Sequence, residues 1–154
     1  MSMKRLAATQ YRAIAGRAAP LSQLVMPGEG WIATIRKALG MSGAELGRRL
    51  GVTRARVSQA ERAEREGGIT LKAMEQFAEA MGCRFVYAIV PPEGRVESLV
   101  AAQARRKAEA LVARASAHMV LERQALPEKK NRAEVERLAR ELMEDMPPDF
   151  WTGE

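Results

Sequence analysis

Gly40, Ser42, Gly51 and Thr53 crowd so closely that the chain between them can hold only a very short helix, forcing brief helices to meet at sharp corners. Ser42 with Glu45 three residues on forms a capping box, which satisfies two backbone donors left unpaired at a helix start. Gly51 stands where two helices must cross through positive φ, and Val52 beside it is expected to act as a buried apolar plug. Leu46 and Leu50 of the first helix then face Val57 and small Ala60 of the second. Thr53 and Thr70 are N-cap residues, and Gly40 and Gly82 are helix stops. Apolar periodicity between these signals predicts helices over Trp31–Leu39, Ser42–Leu50, Thr53–Glu64 and Thr70–Met81.

The flanks carry other signals. Met3, Leu6, Tyr11 and Ile14 predict an amphipathic helix ended at Gly16 or Pro20, followed by a loop marked by Pro27, Gly28 and Gly30. Arg84–Val90 interrupts the helical rhythm with β-branched and aromatic residues and stops at Pro91-Pro92, which predicts a single strand. One strand cannot satisfy its own backbone, so Phe85, Val86, Tyr87, Ala88 and Ile89 are expected to pair with a second copy of the chain. A long helix from Arg95 to about Ala125 follows, with the stripe Val100, Ala104, Ala108, Leu111, Ala115 and Met119. Asn131 with Glu134 reads as a second capping box, opening a last helix with Val135, Leu138 and Leu142 on one face before Pro147-Pro148. The expected fold is mainly α: a helix-turn-helix bundle with one intermolecularly paired strand and helical extensions at both ends. The expected segments are an N-terminal extension over 1–30, the bundle over 31–82, the strand over 83–92, and a C-terminal extension with an acidic tail over 93–154.

At 154 residues the chain suffices for one compact domain with helical additions. Its formal net charge of +6 is uneven: +3 over 1–30, +4 over 31–90, +2 over 91–127 and −3 over 128–154. The basic part could meet a polyanion. Cys83 is the only cysteine, which excludes a disulfide framework and suggests a reducing, cytoplasmic setting; no stretch has the apolar length of a membrane span. His118, the sole histidine, has no cysteine, aspartate or second histidine at ligand spacing, so neither metal nor cofactor is expected. Glu141, Glu144 and Asp145 read as a solvated helix face, Gly28, Gly30 and Gly67-Gly68 lack the context of a phosphate loop, and no nucleophile–base pair suggests an enzyme.

The run MSGAELGRRLGVTRARVSQAE over Met41–Glu61 resembles the helix-turn-helix of the Xre/Cro, phage-repressor-like family. With Val57, Ala60 and Glu64 turned inward or sideways, Arg54, Ala55, Ser58 and Gln59 share the opposite face, and they match that family's base-reading positions. Arginine can bond guanine O6 and N7, and glutamine adenine N6 and N7, each discriminating by roughly 1–3 kcal/mol. Arg48, Arg49, Arg56 and Arg62 suit phosphates, together with the helix starts at Ser42, Gly43 and Thr53. Gly43 replaces a glutamine that the family often uses to dock on the backbone. Arg36 and Glu61 match positions that in the family form an orienting ion pair. The resemblance implies a homodimeric repressor on duplex DNA, reading an inverted repeat and controlling its own operon.

Over a longer stretch the chain is also similar to a family described as mobile mystery protein A. That similarity rests on GWIATIRKALGMS at Gly30–Ser42, ITLKAMEQFAEAMGCRFVYAIVP at Ile69–Pro91, and Gln103, His118, Met119 and Leu121-Glu122. Its members are typically encoded beside a Fic-domain protein, which implies an antitoxin-like partner as the alternative role. No Ser or Thr here is followed at the right spacing by the Glu that separate-chain Fic inhibitors carry, so restraint of such a partner would need another route.

Overall fold

The computed structural model describes residues 2–121 and 128–152. Among them are seven α-helices: α1 (Met3–Gly16), α2 (Trp31–Ala38), α3 (Gly43–Leu50), α4 (Arg54–Glu66), α5 (Leu71–Ala80), α6 (Val96–Leu121) and α7 (Glu128–Asp145). A 3-10 turn occupies Ala19–Gln23. No described helix is long and apolar enough to cross a membrane. The chain forms two compact units: Gln23–Ala88, and the stretches before and after it.

In the first unit, α2 to α5 enclose Ile32, Leu46, Val57, Ala60, Met74, Phe77 and Met81. Each short helix is set by local chemistry. Ser42 Oγ accepts from Glu45 N–H while the Glu45 carboxylate accepts from Ser42 N–H, and the Thr53 and Thr70 hydroxyls accept from Arg56 and Ala73 N–H. Gly51, at φ 72°, ends α3, and Gly67, at φ 78°, ends α4.

Val52 is not the expected plug. It is 38% exposed, and the close approach at this corner is made by the backbone instead. Val52 N–H donates to the Gly47 carbonyl at 2.8 Å, and a Cβ on buried Gly47 would lie 2.7 Å from the Val52 carbonyl oxygen. The chain leaving α3 therefore folds back over Gly47, where only a hydrogen fits.

In the second unit α6 and α7 pack along Val100, Ala104 and Ala108, with Val112 continuing the stripe in place of exposed Leu111 and Ala115. A four-residue step keeps these positions on one face, and alanine lets the helices approach closely. Met119, the remaining stripe position, is one of those whose side chain lies outside the described residues. The Asn131–Glu134 capping box is overturned, because α7 begins at Glu128. Asn131 instead donates from its amide to Ser116 Oγ at 3.0 Å, and Glu134 pairs with Arg137. The Pro147-Pro148 stop returns the chain onto α6. Phe150, 1% exposed, packs with Val100 and Ala104, while Gln103 donates to the Phe150 carbonyl and Lys107 to that of Thr152.

No strand occurs among the described residues, so the strand expected over Arg84–Val90 is not seen in the single chain. A strand exists only against a second edge, and the described chain offers none. Phe85 is partly buried against the first unit's core, Val86, Tyr87 and Ala88 are exposed, and exposed Ile89 belongs to the second unit. The apolar face expected of α1 is likewise uncovered: Met3, Leu6, Tyr11 and Ile14 are all exposed.

Candidate nucleic-acid interface

Helix α4 is held from one side only. Val57 and Ala60 are buried, and Glu61 and Glu64, on the same side, bind α2. At about 100° per residue, Arg54, Ala55, Ser58, Gln59 and Arg62 fall within a single arc of roughly 140° on the other side. All five are exposed. Arg62 thus shares the arc of the base-reading candidates one turn further along, whereas exposed Arg56 lies on the flank away from them.

Two carboxylates lock this helix to α2. Arg36 Nε lies 2.6 Å from Glu61 Oε1, its second amino group reaches Glu61 Oε2 at 3.3 Å, and its first donates to the Met41 carbonyl at 3.1 Å. With side chains only 15% and 12% exposed, the pair is well shielded, and the bond to Glu61 raises Arg36 further above its usual basic range. Such a pair fixes orientation more reliably than it adds net stability.

Glu64 makes a contact that residue spacing alone does not announce. Its Oε2 accepts from Trp31 N–H and its Oε1 from Ile32 N–H at 2.9 Å. Gly30 precedes α2 without any side-chain cap of its own, so α4 supplies the cap from a distance. Gly30 has φ 85°, and a Cβ there would stand 2.9 Å from the Glu64 carboxyl carbon. A helix start with a glycine where Ser, Thr, Asp or Asn belongs was the available clue.

The phosphate candidates do not form one set. Arg48 is exposed, but Arg49 Nε donates to the Ala80 carbonyl at 2.6 Å, tying α3 to the end of α5 and leaving its two terminal amino groups free of that bond. Thr53 Oγ1 and Ser42 Oγ both act as caps, and Ser42 N–H is occupied by Glu45. The first-turn amides of Gly43 and Ala44 are therefore the donors at the start of α3 not engaged by that box. Arg54 Cγ lies 3.5 Å from the Cβ position of Gly43, so the arginine stem flanks the place where the resembling family carries glutamine.

Comparison with known proteins bears on the domain that carries these residues. Residues 32–87 match the helix-turn-helix family model and form a helix-turn-helix domain that spans α2 to α5. No curated protein and no solved structure matches the chain, so the longer resemblance to mobile mystery protein A rests on the quoted residues alone.

Proposed function

We propose that the chain is a sequence-specific DNA-binding regulator that inserts α4 into the major groove and, as a homodimer, represses its own operon from an inverted repeat. The observation that carries this reading is the one-sided anchoring of α4. Its inner side is fixed by Val57, Ala60, Glu61 and Glu64, and Arg54, Ser58, Gln59 and Arg62 are exposed on its outer side. A rigid helix with donors and acceptors on one exposed face suits base-edge recognition. One such helix makes few contacts, and a two-fold axis would place a second copy about 34 Å away in the next major groove.

The test is selection from random duplex DNA, followed by binding to the selected site and to scrambled DNA over a range of salt concentrations. Arg54→Ala and Gln59→Ala should each lose roughly 1–3 kcal/mol on the selected site while changing scrambled binding little. Arg48→Ala should weaken both DNAs alike and flatten the salt slope. Equal losses on both DNAs for Arg54 and Gln59 would refute base reading by α4.

A further inference from the structure

The stretch after α5 leaves its backbone unpaired with the rest of the described chain. Cys83 N–H still closes the end of α5 by donating to the Ala78 carbonyl at 2.8 Å, but no backbone hydrogen bond joins residues 84–90 to any described residue. Several of its side chains are those that favour sheets, and three lie open: Val86 is 56% exposed, Tyr87 66% and Ile89 96%. The local conformation already alternates. The rings of Phe85 and Tyr87 stack with centroids 5.9 Å apart and planes 24° from parallel. That is close to the roughly 6.6 Å advance of two residues along an extended chain, so the two rings share a side and Val86 takes the other.

We infer that Arg84–Ala88 is the seam of a homodimer, pairing antiparallel with the same five residues of a second copy. The inference rests on the DNA-binding reading above only in supplying the two-fold axis which that reading requires. The sequence is self-complementary in this arrangement. Centred on Val86, it sets Phe85 against the second copy's Tyr87 and Arg84 against Ala88, with Val86 facing its own counterpart across the axis. Arg84 is the only charge in the segment, so no like charges meet, and the aromatic pairs are of the kind that stabilise antiparallel ladders. A two-stranded ribbon alone is marginal in water. Here Phe85 packs onto the α2–α5 core in each copy, so the ribbon has a floor. Pro91 and Pro92, without N–H groups, limit how far a ladder could extend. Inside one chain the segment is not a strand; the ladder forms only between chains.

Sedimentation of the full chain, without DNA, over a wide concentration range tests the seam. The wild type should dimerise, and Val86→Pro, lacking a ladder donor, and Val86→Lys, placing two cations across the axis, should each weaken dimerisation at least tenfold while far-UV circular dichroism stays unchanged. In a Cys83→Ser background, Val86→Cys should oxidise to a covalent dimer faster than Arg84→Cys or Ala88→Cys. A monomeric wild type, or dimers indifferent to both Val86 variants, would overturn the seam, as would capture of an unrelated extended peptide by Arg84–Ala88 in place of a second copy. Half-site DNA binding is measured in parallel. Sequence-selective half-site binding without dimers refutes the seam alone, and dimers without DNA binding refute the DNA reading alone.

Discussion

Val57 and Ala60 reach their core from a helix whose first turn is fixed by Thr53 and whose end is fixed by Gly67, all within one short run of sequence. Val100 and Ala104 share theirs with Ala139 and Leu142 of α7 and with Phe150, which returns over them from beyond that helix. The first unit is built from pre-formed corners, so its orientation-setting contacts, Arg36–Glu61 and Glu64 on α2, act between helices that are already terminated. The second is a pair of long helices whose closing contact comes last in the chain. A DNA-reading surface needs the first kind of construction, because a base-edge hydrogen bond fails when its helix is displaced by about an ångström.

Breaking the late contact should produce the largest effect. Phe150→Ala removes the most buried large side chain of the α6–α7 unit, and Phe→Ala in a core costs about 3–5 kcal/mol. The two tryptophans divide between the units, Trp31 on α2 and Trp151 beside Phe150, so their fluorescence separates the outcomes. Denaturation followed by Trp151, in a Trp31→Phe background, should shift strongly, while the Trp31 signal in a Trp151→Phe background should hold. Equal shifts in both would mean that the units unfold as one.

The same division explains what could be read from residues alone. Ser42, Thr53 and Thr70 were legible because a cap is a contact over three residues, and Gly51 because a corner demands positive φ. Glu64 and Phe150 were not, since one caps a helix 33 residues away and the other sits opposite a helix whose Gln103 is 47 residues away. Val52 misled because an apolar residue after a turn glycine resembles a plug, whereas the close approach is made by its carbonyl over Gly47. Asn131 misled because Asn-x-x-Glu is also the spacing of ordinary contacts along a helix, and Glu134 uses it to meet Arg137. The run from Phe85 to Val90 has sheet-forming composition, but the described residues of one chain offer no edge that would turn composition into a ladder.

Gly47→Ala is the next effect in size and tests the pre-formed corner directly. Alanine gains about 1 kcal/mol of helix propensity over glycine. Against this, the new Cβ meets the Val52 carbonyl oxygen at 2.7 Å and the Thr53 carbonyl carbon at 3.3 Å, both backbone atoms that cannot rotate away. Overpacking of this kind costs about 1–3 kcal/mol, and it should also displace Thr53, the cap of α4. Urea denaturation followed by Trp31 should show a net loss, with DNA affinity falling alongside. Gly43→Ala is the control: its Cβ would make only ordinary contact with Arg54 at 3.5 Å, and stability should stay level or rise. A stabilised Gly47→Ala protein would show that the corner adapts rather than being pre-formed.

The smallest effect lies in acid and touches both units through different carboxylates. Lys107, which donates to the Thr152 carbonyl at 3.2 Å, also lies 3.1 Å from Asp149 Oδ2, and its ammonium holds the Asp149 carboxyl below its usual value. Glu45 is held low in the same sense by the Ser42 N–H it accepts. A carboxyl held low in the folded state contributes stability that is complete above its unfolded pKa, about 3.9 for Asp and 4.3 for Glu, and is lost as pH falls through the lower folded value. Above about pH 5, then, neither group should make stability depend on pH, and below about pH 4 both contributions should fade. Asp149 is 70% exposed, so water screens the pair and the change in the tail should be slight. Asp149→Asn isolates it. With Trp151 as the only tryptophan, the wild type should lose tail packing in acid slightly more steeply than the asparagine variant, whereas the Trp31 signal should follow Glu45→Gln and ignore Asp149. Identical acid profiles for wild type and Asp149→Asn at Trp151 would mean that Phe150 and the carbonyl bonds from Gln103 and Lys107 hold the tail without help from charge.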